Sequence, residues 1–79
     1  MGTEEQFLTA EQNMKILRDQ AMFSDSFVAK REAIEQLAQK YRVAAVPIIE
    51  EVISTIHTSF DPLKIYCVDQ IKRILKSSR

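Results

Sequence analysis

The sequence predicts an all-helical fold, and three observations support this prediction. The 79-residue chain contains only one glycine and two prolines, whereas sheet proteins need many turns and therefore many turn-forming residues. Apolar residues recur at steps of three and four along most of the chain, the spacing that places side chains on one helix face. The composition, 46% hydrophobic and 28% charged, is that of a globular protein. We expect residues 1–79 to form a single helical domain.

The first two helices are expected at about 4–22 and 26–42. Thr3 and Thr9 are each followed three residues later by a glutamine, so two capping boxes compete for the start of the first helix. The segment 23–26 ends in Ser24, Asp25 and Ser26, each of which can cap the second helix. The apolar stripe of the first helix consists of Phe7, Ala10, Met14, Leu17 and Ala21.

The last two helices are expected at about 44–57 and 62–76. The third is rich in β-branched residues, but its length exceeds that of an ordinary strand, and Pro47 fits a first helical turn. Because its apolar stripe is the widest, we expect this helix to be the most buried. Asp61 followed by Pro62 is typical of an N-cap and a first helical residue.

The second and fourth helices align with each other at an offset of 34 residues. Residues 30–37 (KREAIEQL) and 64–71 (KIYCVDQI) share Lys and Gln, and four further positions match in size and chemistry. A repeat period between 20 and 50 residues is typical of stacked helix pairs. The chain is therefore expected to form two consecutive antiparallel hairpins.

This pattern resembles HEAT repeats over roughly residues 24–76. Lys30, Ala33 and Leu37 follow the order of the family's first helix, and the run 45–49 (AVPII) looks very like the start of its second. The resemblance implies a short α-solenoid fragment whose second helices present a binding surface. The period of 34 is shorter than the ~40 residues of typical HEAT units. A closed four-helix bundle remains the alternative architecture.

No catalytic, cofactor-binding or metal-binding site is expected. The only glycine is Gly2, which excludes Gly-rich phosphate-binding loops. The lone His57 and the lone Cys67 cannot together supply a usual structural zinc site. Cys67 occupies the small-residue position of its repeat and is expected to pack in the core. We therefore predict a protein that is not an enzyme.

The predicted function is a non-catalytic protein–protein interaction module, and the alternative is a small nucleic-acid-binding protein. The alternative depends on the basic C-terminal helix, with Lys72, Arg73, Lys76 and Arg79. The net charge is zero and the pI about 6.6, whereas nucleic-acid-binding domains usually have a pI above about 9. We therefore do not expect nucleic acid as a partner.

The expected environment is the cytoplasm, with no membrane contact. No apolar run approaches the ~20 residues that span a bilayer, and the acidic start is unlike the basic beginning of a secretory signal. A single cysteine fits a reducing compartment.

The candidate partner-binding residues are exposed positions near the concave face, together with two apolar positions. Ile65 and Tyr66 occupy the two places where the repeat alignment fails, because the earlier unit has the charged Arg31 and Glu32 there. Apolar residues in place of charges predict a second buried face and hence a homodimer. Ile16, Phe23 and Phe7 could serve similarly at the other end. The full set of candidates is Arg42, Glu50, Glu51, Ser54, Ile65 and Tyr66.

Overall fold

The computed structural model of the chain describes residues 9–58 and 60–77. All regular secondary structure in these ranges is helical, which confirms the all-α class. The elements in chain order are α1 (Ala10–Phe23), α2 (Phe27–Tyr41), a 3₁₀ turn (Arg42–Ala45), α3 (Val46–Ser54) and α4 (Pro62–Ser77).

The expectation of four separate helices is wrong at the second junction. The 3₁₀ turn joins α2 to α3 with no loop between them, so the described helical residues fall into three segments, 10–23, 27–54 and 62–77. The chain bends at Arg42, whose φ of 50° and ψ of −121° are not helical. A positive φ is usually adopted by glycine. Because no glycine stands at this position, the sequence does not predict that α2 and α3 are joined by a tight turn with no loop.

Hydrogen bonds from short polar side chains explain where α1 begins and α3 ends. Thr9 is the N-cap of α1: its Oγ1 accepts from the Gln12 amide and its own amide donates to Gln12 Oε1, each at 3.1 Å. The expected start at residue 4 lies outside the described residues, but the extended backbone of Thr9 shows that α1 does not continue through it. At the other end, Ser54 Oγ donates to the Glu51 carbonyl at 2.6 Å and competes with the helix. The third helix therefore ends at Ser54 and not at residue 57.

Contacts at both ends of the helices define their relative directions. α1 and α2 are antiparallel, because Gln20 Nε2 donates to the Ala29 carbonyl at 2.8 Å while Asn13 Nδ2 donates to Tyr41 Oη. α1 runs alongside α3, where Arg18 binds Glu51. α2 runs alongside α4, and α3 packs against α4, whereas α1 and α4 make little or no contact.

The core is centred on α2, not on α3 as the apolar stripe predicted. Both α1 and α4 pack against α2, and so it buries the most residues. In α3, Ile49 and Val52 are buried and Ile56 is half-buried. The buried residues of α2 are Ala33, Ile34, Leu37 and Ala38, joined by Leu17, Ala21, Ala45, Leu63, Cys67 and Ile74 from the other elements.

Candidate functional site

Among the surface depressions of the described residues, the groove between α3 and α4 has the most apolar lining. It has a volume of about 450 Å³. Ile53 from α3 and Val68 and Ile71 from α4 form its apolar part, and most of the exposed lining is apolar. Glu50 and Ser54 stand on the α3 side, and Lys72 stands on the α4 side. The groove thus combines an apolar floor with one acidic and one basic edge.

Two of the six candidate residues, Glu50 and Ser54, line this groove. Both are exposed. They are one helical turn apart on α3, so they share one face. Two residues that the sequence singles out as partner-binding candidates therefore lie together on the α3 side of the groove.

Glu51 has a different environment from its neighbour Glu50. Its Oε2 accepts a hydrogen bond from Arg18 Nη1 of α1 at 3.3 Å, and Arg18 also contacts Asp19 at 3.2 Å. Adjacent helical residues diverge by about 100°, which explains why the two carboxylates face different helices. Glu51 therefore links α3 to α1.

Arg42 lies at the far end of α2, away from the lining of the groove. Its Nη2 donates to Ser77 Oγ near the C-terminus of α4. Together with Arg73 and Gln70, these residues line a shallow depression between the ends of α2 and α4. Arg42 therefore acts in contacts within the chain, and the six candidates do not form a single site.

Ile65 and Tyr66, expected to form one interface, lie on different faces of α4. Ile65 is 57% exposed and borders a depression with Lys64, Val68, Asp69 and Lys72. Tyr66 is half-buried against the core. Burial and the nearby Glu35 carboxylate of α2 raise the pKa of the Tyr66 hydroxyl, which the Arg31 and Arg73 guanidinium groups partly offset. Val68, and not Tyr66, is the apolar neighbour of Ile65 on the outer face.

His57 and Cys67 lie outside the groove lining, in different surroundings. His57 is exposed beyond the end of α3, and it borders a depression that also contains Lys30 and Asp61. Asp61 Oδ1 is already engaged by the Leu63 amide at 2.8 Å, as the N-cap of α4. Burial, with a smaller contribution from Asp61, raises the pKa of the Cys67 thiol to about 12. This thiol therefore stays protonated and packs as a small apolar group.

The sequence analysis missed the floor of the groove. Val68 and Ile71 are not among the candidate residues predicted from the sequence, and Lys72 is expected there only as part of a basic C-terminal helix. A usable signal was present, because apolar residues of α4 occupy more of the helix circumference than one buried face needs. What the sequence could not supply was which part of that circumference other helices cover.

The function of this chain has to be argued from its fold and its groove, because comparisons with known proteins found no match. No protein-family model, no curated protein and no solved structure matches the chain. Within residues 9–58 and 60–77, no helix is long and apolar enough to cross a membrane. The same residues contain no group of three or more His, Cys, Asp or Glu side chains that could hold a metal ion.

Proposed function

We propose that the chain is a non-catalytic, cytoplasmic protein-interaction module of HEAT-like helix pairs that binds a protein partner through the groove between α3 and α4. The observation that carries this proposal is the groove itself. Its apolar floor, formed by Ile53, Val68 and Ile71, is bordered by charged and polar groups. Apolar centres with polar rims are typical of protein-binding surfaces.

The stacking of the helices supports the HEAT-like part of the proposal. Arg18 of α1 contacts Glu51 of α3, 33 residues later, and Arg42, which directly follows α2, contacts Ser77 of α4, 35 residues later. Both spacings are close to the 34-residue offset of the sequence repeat. In a closed up-and-down bundle the first and last helices are neighbours, whereas α1 and α4 make little or no contact here.

The groove is also suited to an amphipathic helix of a partner. Helix-in-groove recognition uses apolar side chains at i, i+3 or i+4 and i+7 against an apolar cleft. Glu50 and Lys72, on opposite sides, would select charged residues on the two flanks of such a helix. The proposal therefore assigns recognition to shape and charge and requires no reactive group.

Site-specific photo-crosslinking in an extract of the native source tests this function. A photoreactive residue at Ser54, inside the groove, is compared with one at Gln36, which is exposed on α2 and is not among the groove-lining residues. We expect a discrete protein adduct from position 54 that is absent from position 36. Lys72→Glu should weaken the adduct at position 54, because it removes the basic edge.

Identical adducts from both positions would show non-specific capture and would contradict the proposal. A nucleic-acid adduct would favour the rival function, binding by the basic C-terminal helix. In that helix Arg73 Nε is already paired with Asp69 Oδ2 at 2.9 Å. A salt titration with DNA and RNA separates the two functions, because phosphate contacts give steep salt dependence. Tight binding that is lost on neutralising Lys72 and Arg73 would replace our proposal.

A further inference from the structure

The outer face of α4 carries an apolar stripe that other described helices leave uncovered. Ile65 and Val68 lie on one side of the helix and are both exposed, and Ile71 continues the stripe into the groove. Tyr66 and Ser77, which lie beside α2, mark the opposite side of α4. One side of α4 therefore packs on α2, and the other presents apolar residues to the outside.

The repeat gives this stripe a covered counterpart elsewhere in the chain. At the 34-residue offset, Ile65 corresponds to Arg31 of α2 and Val68 corresponds to Ile34. Ile34 is fully buried, and Arg31 lies close enough to Tyr66 to affect its pKa. α4 thus packs on the side of α2 that corresponds, at the 34-residue offset, to the exposed side of α4. A helix seated on α4 would continue the stacking already present.

The charges around the stripe indicate what kind of surface could cover it. Lys64, Asp69 and Lys72 border the stripe on α4, and Glu50 borders it on α3. A surface with both signs of charge around an apolar centre can complement itself across a two-fold axis, whereas a surface of one sign repels its own copy. The net charge of the chain is zero, so long-range repulsion does not oppose association of two copies.

We propose that a second copy of this chain docks on the outer face of α4, so that the two α4 helices pack across a two-fold axis with Ile65 and Val68 at its centre. This inference rests on the proposed binding function and names one partner for that face. In the dimer, Glu50 of one copy and Lys72 of the other lie on facing edges. The α4 helix of each copy then covers the α4 helix of the other. Because no such face remains exposed for a third copy, the assembly is a dimer.

Sedimentation equilibrium of the purified full chain, from low micromolar to near-millimolar concentration, tests this proposal. Ile65→Glu on α4 is compared with Ile16→Glu on α1, because both isoleucines are exposed to a similar extent, 57% and 51%. We expect the unmodified chain and Ile16→Glu to dimerise with similar Kd values. Ile65→Glu should raise the Kd by at least about a hundredfold, because it places two like charges together in a desolvated interface.

Circular dichroism of each variant separates dissociation from unfolding. Val68→Glu, at a position 36% exposed, is a second interface variant and should also raise the Kd. A chain that remains monomeric at near-millimolar concentration overturns the dimer. Equal effects of Ile65→Glu and Ile16→Glu overturn the assignment of the face. In either case, crosslinking of a different protein at Ser54 would still support the proposed function, so that the two proposals can fail separately.

Discussion

The repeat-equivalent helices α2 and α4 differ in how completely the rest of the chain covers them. Ala33 and Cys67 occupy the same place in the two units, and both are fully buried. Ile34 and Val68 also correspond, but Ile34 is buried and Val68 is exposed. The difference arises because α1 and α4 both pack on α2, whereas α4 packs mainly on α2 and α3 and makes little or no contact with α1.

This comparison shows that equivalent sequence positions need not have equivalent energetic roles. In a stack of helix pairs, stability is approximately a sum of units and the interfaces between neighbours. Among the described residues, α2 packs against both α1 and α4, whereas α4 makes little or no contact with α1, so the equivalent apolar positions Ile34 and Val68 are buried in α2 and partly exposed in α4.

The largest expected effect comes from truncating the equivalent positions Ile34 and Val68. Ile34→Ala should lower the free energy of unfolding by about 3 kcal/mol, because it leaves a cavity in a close-packed core. Val68→Ala should cost less than about 1 kcal/mol, because its side chain already contacts solvent in the monomer. Urea denaturation at low micromolar concentration measures both.

A control for concentration sharpens this test. If the chain dimerises through α4, Val68→Ala should become more destabilising as protein concentration rises, because association adds to apparent stability. The cost of Ile34→Ala should not change by the same amount. Equal costs for the two substitutions in the monomer would contradict the stated difference in coverage.

Ala33 and Cys67 occupy equivalent positions, and their difference predicts how the stability of the protein depends on pH. Cys67→Ala gives α4 the residue that α2 has, and at neutral pH it should cost about 1 to 2 kcal/mol in lost packing. Burial raises the pKa of the folded Cys67 thiol from 9.0 to about 12, so the folded state holds this proton more tightly than the unfolded state. The thiol's contribution to stability is complete below about pH 9 and is lost as pH rises from there towards about 12.

Urea denaturation at several pH values between neutrality and about pH 10.5 checks this prediction. The stability difference between the unmodified chain and Cys67→Ala should narrow as pH rises. Tyr66, whose pKa is also raised, is present in both chains, so its titration largely cancels in the comparison. A difference that stays constant across this range would show that the thiol is not desolvated.

The smallest expected effect concerns the junction after α2. Arg42 has a φ of 50°, and a non-glycine residue in such a conformation costs on the order of 1 to 3 kcal/mol. Arg42→Gly and Arg42→Ala both remove the hydrogen bond to Ser77, but only glycine relieves the strain. We expect the glycine variant to be more stable than the alanine variant by about 1 kcal/mol.

Thermal or urea unfolding of this matched pair measures the strain directly. At an ordinary helical position the order is reversed, with glycine less stable than alanine by about 0.5 to 1 kcal/mol. A lower stability for Arg42→Gly than for Arg42→Ala would therefore show that the junction is not strained.

The sequence by itself determined the helical class and several local features. Turn-residue shortage and apolar spacing predict helices because they depend only on neighbouring residues and on backbone geometry. For the same reason, local signals indicated the capping box of Thr9 and Gln12 and the Asp61 cap before Pro62. Nothing beyond a few consecutive residues is needed for such features.

Tertiary structure alone decided the path at Arg42, the depth of burial of each helix and the separation of the six candidate residues. Arg42 adopts a positive φ although no local feature of the sequence predicts it. Ile65 and Tyr66 point about 100° apart on α4 and differ in burial because α2 lies beside Tyr66, whereas Ile65 stays 57% exposed. Coverage is a property of the assembled helices, and periodicity reports only which residues share a face, not what lies against it.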